Sequence, residues 1–189
     1  MYQPSHFIET DRDVLQALIR SHPLGLLISA TPLGPVADPV PFLLSAGEDG
    51  AIALRAHLAR ANPHWKILRQ SRFDGSGGIQ CFESYITPSW YETKRETGKV
   101  VPTWNYVTVQ ARGTVRVFEI PEWLLSQITE LTATHEATRD KPWQVSDTPA
   151  GYIELQMKGI VGLRDRGHLR FPENGKSAKI GRSRIVRGG

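Results

Sequence analysis

Thirteen prolines and seventeen glycines cut this 189-residue chain into short apolar segments, most of them the length of a strand. Proline and glycine end regular elements, so long helices have little room. Ala51 to Leu58 shows the pattern best: Ile52, Leu54, Ala56 and Leu58 share one face, and Ala53, Arg55 and His57 the other. Gly47 to Gly50 before it is a hairpin signal. Leu26 to Ala30 predicts a buried strand, turned by Pro32, Gly34 and Pro35. Val36 to Leu44 predicts the return strand, which Pro39 and Pro41 confine to an edge or a bulge. Asp74 to Gly78 reads as a turn and Ile79 to Ile86 as a strand. Thr103 to Phe118 reads as a long strand or hairpin broken near Gly113, and Ile160 to Leu163 as the last strand. Helices are predicted at 10–22, capped by Thr10 with Asp13, and from Asn62 to about Gln70. Another starts at Pro121 with Leu124, Leu125, Ile128 and Leu131 on one face, and a short one covers Tyr152 to Lys158. Sequential hairpins with few helices predict a mainly β, α+β fold: an antiparallel barrel with peripheral helices.

Composition excludes several classes. One cysteine, Cys81, rules out an internal disulfide framework, and it reads as a small buried apolar residue. No apolar run approaches the roughly 20 residues of a membrane span, and Met1 to Ile8 lacks a signal-peptide pattern. The expectation is a soluble, cytoplasmic, single-domain protein. No metal-ligand spacing and no nucleophile elbow occur, and no catalytic residue is assigned. His6, His22 and His168 read as solvent-facing, and His135 as half-buried. The net charge of +4 is uneven: residues 164–189 hold eight Lys/Arg against Asp165 and Glu173, which leaves residues 1–163 slightly acidic. The chain therefore divides into a domain, 1–163, and a basic tail, 164–189. Such a tail suits phosphate backbones or plain solvation, and no DNA-reading helix pair is recognisable.

Two constellations suit a ligand. In the first, His57, Ala59, Arg60 and Asn62 sit where a strand runs into an Asn-Pro helix start. Helix-terminal amides and a forked guanidinium favour an anion; the alternative is that His57 and Arg60 make ordinary surface contacts while Asn62 only caps. The second gathers Trp90, Tyr91, Trp104 and Tyr106 within 17 positions, among Thr87, Ser89, Lys94, Thr103 and Asn105. Flat rings beside hydrogen-bonding groups suit a planar heterocycle such as a flavin or pterin; core or interface aromatics are the alternative.

Several segments, in order, resemble the PaiB-type family of FMN-binding negative transcriptional regulators, which have a pyridoxamine-phosphate-oxidase-like split barrel. They are Met1-Tyr2-Gln3-Pro4 with Phe7, His57 to Trp65, Tyr85 to Tyr91, and Val101-Pro102-Thr103-Trp104-Asn105-Tyr106. His135-Glu136, Pro142-Trp143, Tyr152-Ile153 and Gly159 to Gly162 continue the likeness, which covers about residues 1–163. The resemblance implies an antiparallel split barrel, a homodimer, and FMN near the subunit interface. It implies that His57, Ala59, Arg60 and Asn62 hold the ribityl phosphate. Thr87, Trp90, Tyr91, Lys94, Thr103, Trp104 and Asn105 would complete the pocket. Cys81 stands where the family tends to have glycine, and the family's lysine-rich closing strand is replaced after Gly167 by a run of arginines and glycines. The resemblance implies a negative transcriptional regulator, acting either indirectly or through contact of the tail with DNA; a flavin-dependent oxidoreductase acting on a small molecule is the other reading.

Overall fold

The computed structural model describes residues 8–46, 52–70, 75–165 and 178–180. Helix α1, Arg12–Ser21, comes first. Its cap is Asp11 rather than the expected Thr10: the Asp11 carboxylate accepts from the backbone N–H groups of Asp13 and Val14. Strands β1 (Leu24–Thr31) and β2 (Gly34–Pro41) follow as a hairpin. β2 is an edge strand, as Pro39 and Pro41 predict. Pro35, Pro39 and Pro41 fall on alternate residues, opposite Ala30, Leu26 and Leu24. All three missing N–H groups therefore face the open side of the sheet.

The predicted strand 36–44 is in fact two. The chain turns at Phe42 and enters a second sheet as β3 (Leu43–Ala46), paired with β4 (Ile52–Ala59). Helix α2 covers His64–Gln70. Strand β5 runs from Gly75 to Ile86, so the glycines read as a turn belong to a strand between β1 and β6 (Thr103–Gly113). A 3-10 turn at Pro88–Trp90 and a short helix α3 (Thr93–Glu96) link β5 to β6. The predicted break at Gly113 is where the chain changes sheet again, into β7 (Val115–Phe118). Helices α4 (Pro121–Glu136) and α5 (Ala150–Lys158) precede β8 (Ile160–Asp165). β8 ends at Asp165, two residues beyond the strand read from the sequence at Ile160 to Leu163. Ala178–Ile180, in the stretch expected to lack a strand, pairs with β6 as β9.

The strand order is β2-β1-β5-β6-β9 in one sheet and β3-β4-β8-β7 in the other, every pair antiparallel. The architecture is mixed α and β, built on two antiparallel sheets. Leu27 and Val40 from one sheet meet Leu54, Ala56, Leu58, Val161 and Leu163 from the other. Leu15 and Ile19 of α1 and Trp65 and Leu68 of α2 complete this core. Burying each leucine or isoleucine there contributes about 1.5–3 kcal/mol.

The other face of β4 lies under α4. Arg55 reaches Glu130 through Nη1 at 2.9 Å and Ser126 through Nη2 at 3.2 Å. The helix buries Leu124 and Gln127 and leaves Leu125 exposed, so its inward face is rotated from the predicted Leu124–Leu125–Ile128–Leu131 stripe. His135 is exposed and His22 partly buried, the reverse of their expected placements. Met1 to Phe7, His168 and most of the basic tail lie outside the described residues, as does the side chain of Cys81.

Candidate functional site

The two predicted constellations lie on different sheets. The first follows β4. Arg60 Nε donates to the carbonyl of Lys158 at 2.8 Å and Nη2 to that of Ile160 at 3.2 Å. Nη1 donates to Glu119 Oε1 at 2.5 Å. Glu119 also takes a hydrogen bond from Arg69, whose guanidinium lies 4.7 Å over the ring of Trp65. Hydrogen bonds from Arg60 and then Arg69 hold the Glu119 carboxyl below its ordinary 4.5. One carboxylate thus serves two guanidiniums, and the cluster keeps one positive charge in excess. Three of the five N–H donors of Arg60 are used, which leaves one on each terminal nitrogen.

Asn62 is held at both ends of its carboxamide. Its Nδ2 donates to Asp38 Oδ1 at 2.9 Å, and its Oδ1 accepts from the backbone N–H of His64 at 2.9 Å. Both ends of the carboxamide are therefore bound to protein, so Asn62 braces the turn rather than presenting itself to a phosphate. Little is left at the start of α2 to hold an anion. Pro63 has no N–H, that of His64 is taken, and α2 is only seven residues long.

His57 shares the face of Arg55, so it points toward α4. Its Nδ1 is buried without a partner, and desolvation by burial pushes its pKa below the ordinary 6.5. Gln127 of α4 is fully buried with neither amide atom bonded, and Arg55 Nε is unpartnered as well. Sequence reasoning missed Gln127; the available signal was a long polar side chain three residues after Leu124, inside an apolar stripe.

The second constellation sits on β5 and β6. Their register sets Ile86 opposite Thr103, Tyr85 opposite Trp104 and Ser84 opposite Asn105. The rings of Tyr85 and Trp104 meet edge to face, centroids 5.7 Å apart. Thr87 Oγ1 accepts from the Ser89 N–H and caps the 3-10 turn that carries Trp90. Lys94 Nζ lies 3.3 Å from Ser89 Oγ. Trp90 and Trp104 are 55% and 59% exposed. Exposure at that level excludes the core reading of these aromatics.

A cavity of about 510 Å³ between α4 and α5 touches Arg60 and Glu119, with Leu124, Leu125, Ile153 and Met157 among its walls. It holds none of the platform aromatics. The indoles, with their hydroxyl, amide and ammonium neighbours, suit a flat ring. The cavity beside Arg60 is lined by Glu119, Glu122 and Glu154 against Arg60 and Lys158, so an anion there depends on the free N–H groups of Arg60 rather than on a surplus of cations.

Residues 1–165 match the family model described as "Putative FMN-binding domain". The chain belongs to this family. An uncharacterized protein of Emericella nidulans is 35% identical, over the whole of this chain and 90% of its own. The Bacillus subtilis protease synthase and sporulation protein PAI 2 is 27% identical, over 87% of this chain and 75% of its own. Among solved structures, the FAD and heme binding protein of Mycobacterium smegmatis superposes with a TM-score of 0.65 at 15% identity, covering 95% of this chain and 76% of that one. That likeness shows a shared fold. No helix among the described residues is long and apolar enough to cross a membrane.

Proposed function

We propose that this protein binds flavin mononucleotide as a PaiB-type split-barrel regulator. The observation that carries the reading is the exposed pair Trp90 and Trp104, set among Thr87, Tyr91, Lys94, Thr103 and Asn105. Two open indoles beside polar groups are costly to keep in water unless a flat partner covers them. The family description names FMN and the fold neighbour's name gives FAD and heme, and both support a flavin. In this reading Arg60 takes the phosphate with its two remaining N–H groups. Ala59, small and exposed, leaves it room, while His57 and Asn62 shape the corner. Bound there, the flavin would supply reversible electron transfer.

A homodimer belongs to the proposal. Leu24 and Leu26 are exposed on β1, and such a surface is well suited to a second copy. The regulatory role rests on the likeness to the B. subtilis sporulation protein. Duplex DNA titrated by fluorescence anisotropy across a salt series tests it, and no binding at low salt removes direct contact with DNA.

The deciding experiment is an absorption spectrum of protein purified without added cofactor, followed by FMN titration read by tryptophan fluorescence. Flavin bands, or saturable quenching, are expected. A colourless protein whose fluorescence ignores FMN overturns the reading.

A further inference from the structure

Helix α5 is nine residues long, and none of its residues is fully buried. A helix of fewer than about 12 residues is marginal in water and depends on packing an apolar face. One side of α5 carries Ala150, Ile153, Glu154, Met157 and Lys158, at the i, i+3, i+4, i+7 and i+8 spacing of a single helical face. That face meets open space rather than core, for all five residues line the cavity of about 510 Å³. Pro121, Leu124 and Leu125 of α4 form the facing wall, and Leu125 is 41% exposed. The volume is about three times the roughly 150 Å³ that accommodates benzene. In size and in its apolar walls the cavity suits a small organic molecule.

The charges around it select among apolar ligands. Arg60 and Glu119 neutralise each other. Arg69, the other partner of Glu119, lies over the Trp65 ring and does not line the cavity. That leaves the carboxylates of Glu122 and Glu154 against the ammonium of Lys158, a surplus of one negative charge along the walls. Glu122 and Glu154 make no ion pair among the described residues, although Lys158 follows Glu154 by one helical turn. Beside apolar walls that exclude part of the water, an ammonium group gains from two carboxylates, and a carboxylate is repelled by them.

We propose that the cavity between α4 and α5 binds a small amphiphilic amine, whose apolar body fills the space between the helices and whose ammonium pairs with Glu122 and Glu154. Occupancy gives α5 the apolar contacts it lacks, so binding stabilises this helix in particular. The cavity holds none of the platform aromatics, and its ligand is independent of flavin.

The test uses three probes with one chain length: octylamine, octanol and octanoate. Each is titrated calorimetrically into the full chain near neutral pH, where the amine is protonated. Octylamine is expected to bind saturably, about three- to tenfold more tightly than octanol, as pairing at a part-exposed carboxylate allows. Octanoate should be the weakest, and added salt should narrow the gap between amine and alcohol. In the double variant E122Q/E154Q the advantage of the amine should vanish while octanol binds as in wild type. Both residues are exposed, so the urea midpoint should hold; if the variant folds poorly, the salt series on wild type decides. Amide exchange at residues 150–158 should slow on octylamine binding more than elsewhere. The proposal is overturned by any of three results: no saturable octylamine binding, octanoate binding as tightly as the amine, or an amine advantage that survives salt or the double variant. Exchange that slows evenly along the chain, or not at all at 150–158, puts the amine outside this cavity and overturns it too.

Discussion

Gly162 lies against the indole of Trp123 with no room for a side chain: a β-carbon there would come within 2.1 Å of Cζ3 and 2.6 Å of Cε3. The ring is packed on other sides as well. Phe118 stacks on its other neighbourhood at a centroid distance of 4.4 Å, and the Arg55 guanidinium lies 4.9 Å from its centroid. This contact seats α4 on the strands beneath it. Gly162→Ala is expected to cost about 1–3 kcal/mol by overpacking. Urea unfolding checks it through a lowered midpoint at unchanged slope; Gly151→Ala, where a β-carbon meets nothing within 4 Å, is the control.

Acid weakens the fold in two separate windows. His57 is held below its ordinary 6.5 by burial, so the unfolded chain binds this proton more readily than the folded one. Stability from this source is complete above about 6.5 and falls as pH drops toward the folded pKa. Glu119 and Glu130 behave otherwise. For Glu130 burial is the largest influence and pushes upward, but hydrogen bonds from Ser126 and Arg55, with the charge of Arg55, outweigh it and leave a net lowering. Both carboxyls therefore stabilise above about 4.5 and lose that contribution below it. Unfolding measured at pH 7.5 and 5.5 should show a decline in wild type and a smaller one in His57→Gln. Equal declines remove His57 as the cause.

Local signals in the sequence reported local structure. Alternate prolines placed β2 at an edge, Gly113 marked the passage between sheets, and Pro121 opened α4. Where the decisive neighbour was remote, the sequence was silent. The partner of Arg60 is Glu119, 59 residues on, and that of His64 is Asp38, 26 residues before. The glycines at 75, 77 and 78 looked like a turn because nothing nearby shows β1 and β6 on either side of them. Likewise Asn62 reads as a ligand or a cap until Asp38 is seen to hold its other end. Of the candidate site, the platform was legible because its residues cluster in two short segments. The charge balance at Arg60 was not, because it depends on strands that meet only in the fold.

Trp104 separates binding from folding. Its ring is 59% exposed and touches Tyr85 edge to face, so it shields little of the core. Trp104→Ala should leave the urea midpoint nearly unchanged, within about 0.5 kcal/mol. A lost stacking partner for a flat heterocycle corresponds to about 1–3 kcal/mol, so flavin affinity should fall roughly tenfold or more. FMN and riboflavin should suffer alike, because both carry the ring. A large stability loss would make the indole a structural residue instead.

Arg60 and Glu119 form the complementary test, at the other end of the ligand. The carboxylate holds the guanidinium in place and also cancels part of its charge. Arg60→Ala should weaken FMN more than Lys94→Ala does, because a planar fork fixed by two carbonyls is less replaceable than a flexible ammonium. Riboflavin should respond little to either change. Glu119→Gln keeps the shape and removes the negative charge beside Arg60. It should tighten FMN, with an effect that shrinks as salt is added. Calorimetric titration of the three variants at low and high ionic strength gives the ranking. Weaker FMN binding by Glu119→Gln would mean that the carboxylate matters more for orienting Arg60 than for opposing the phosphate.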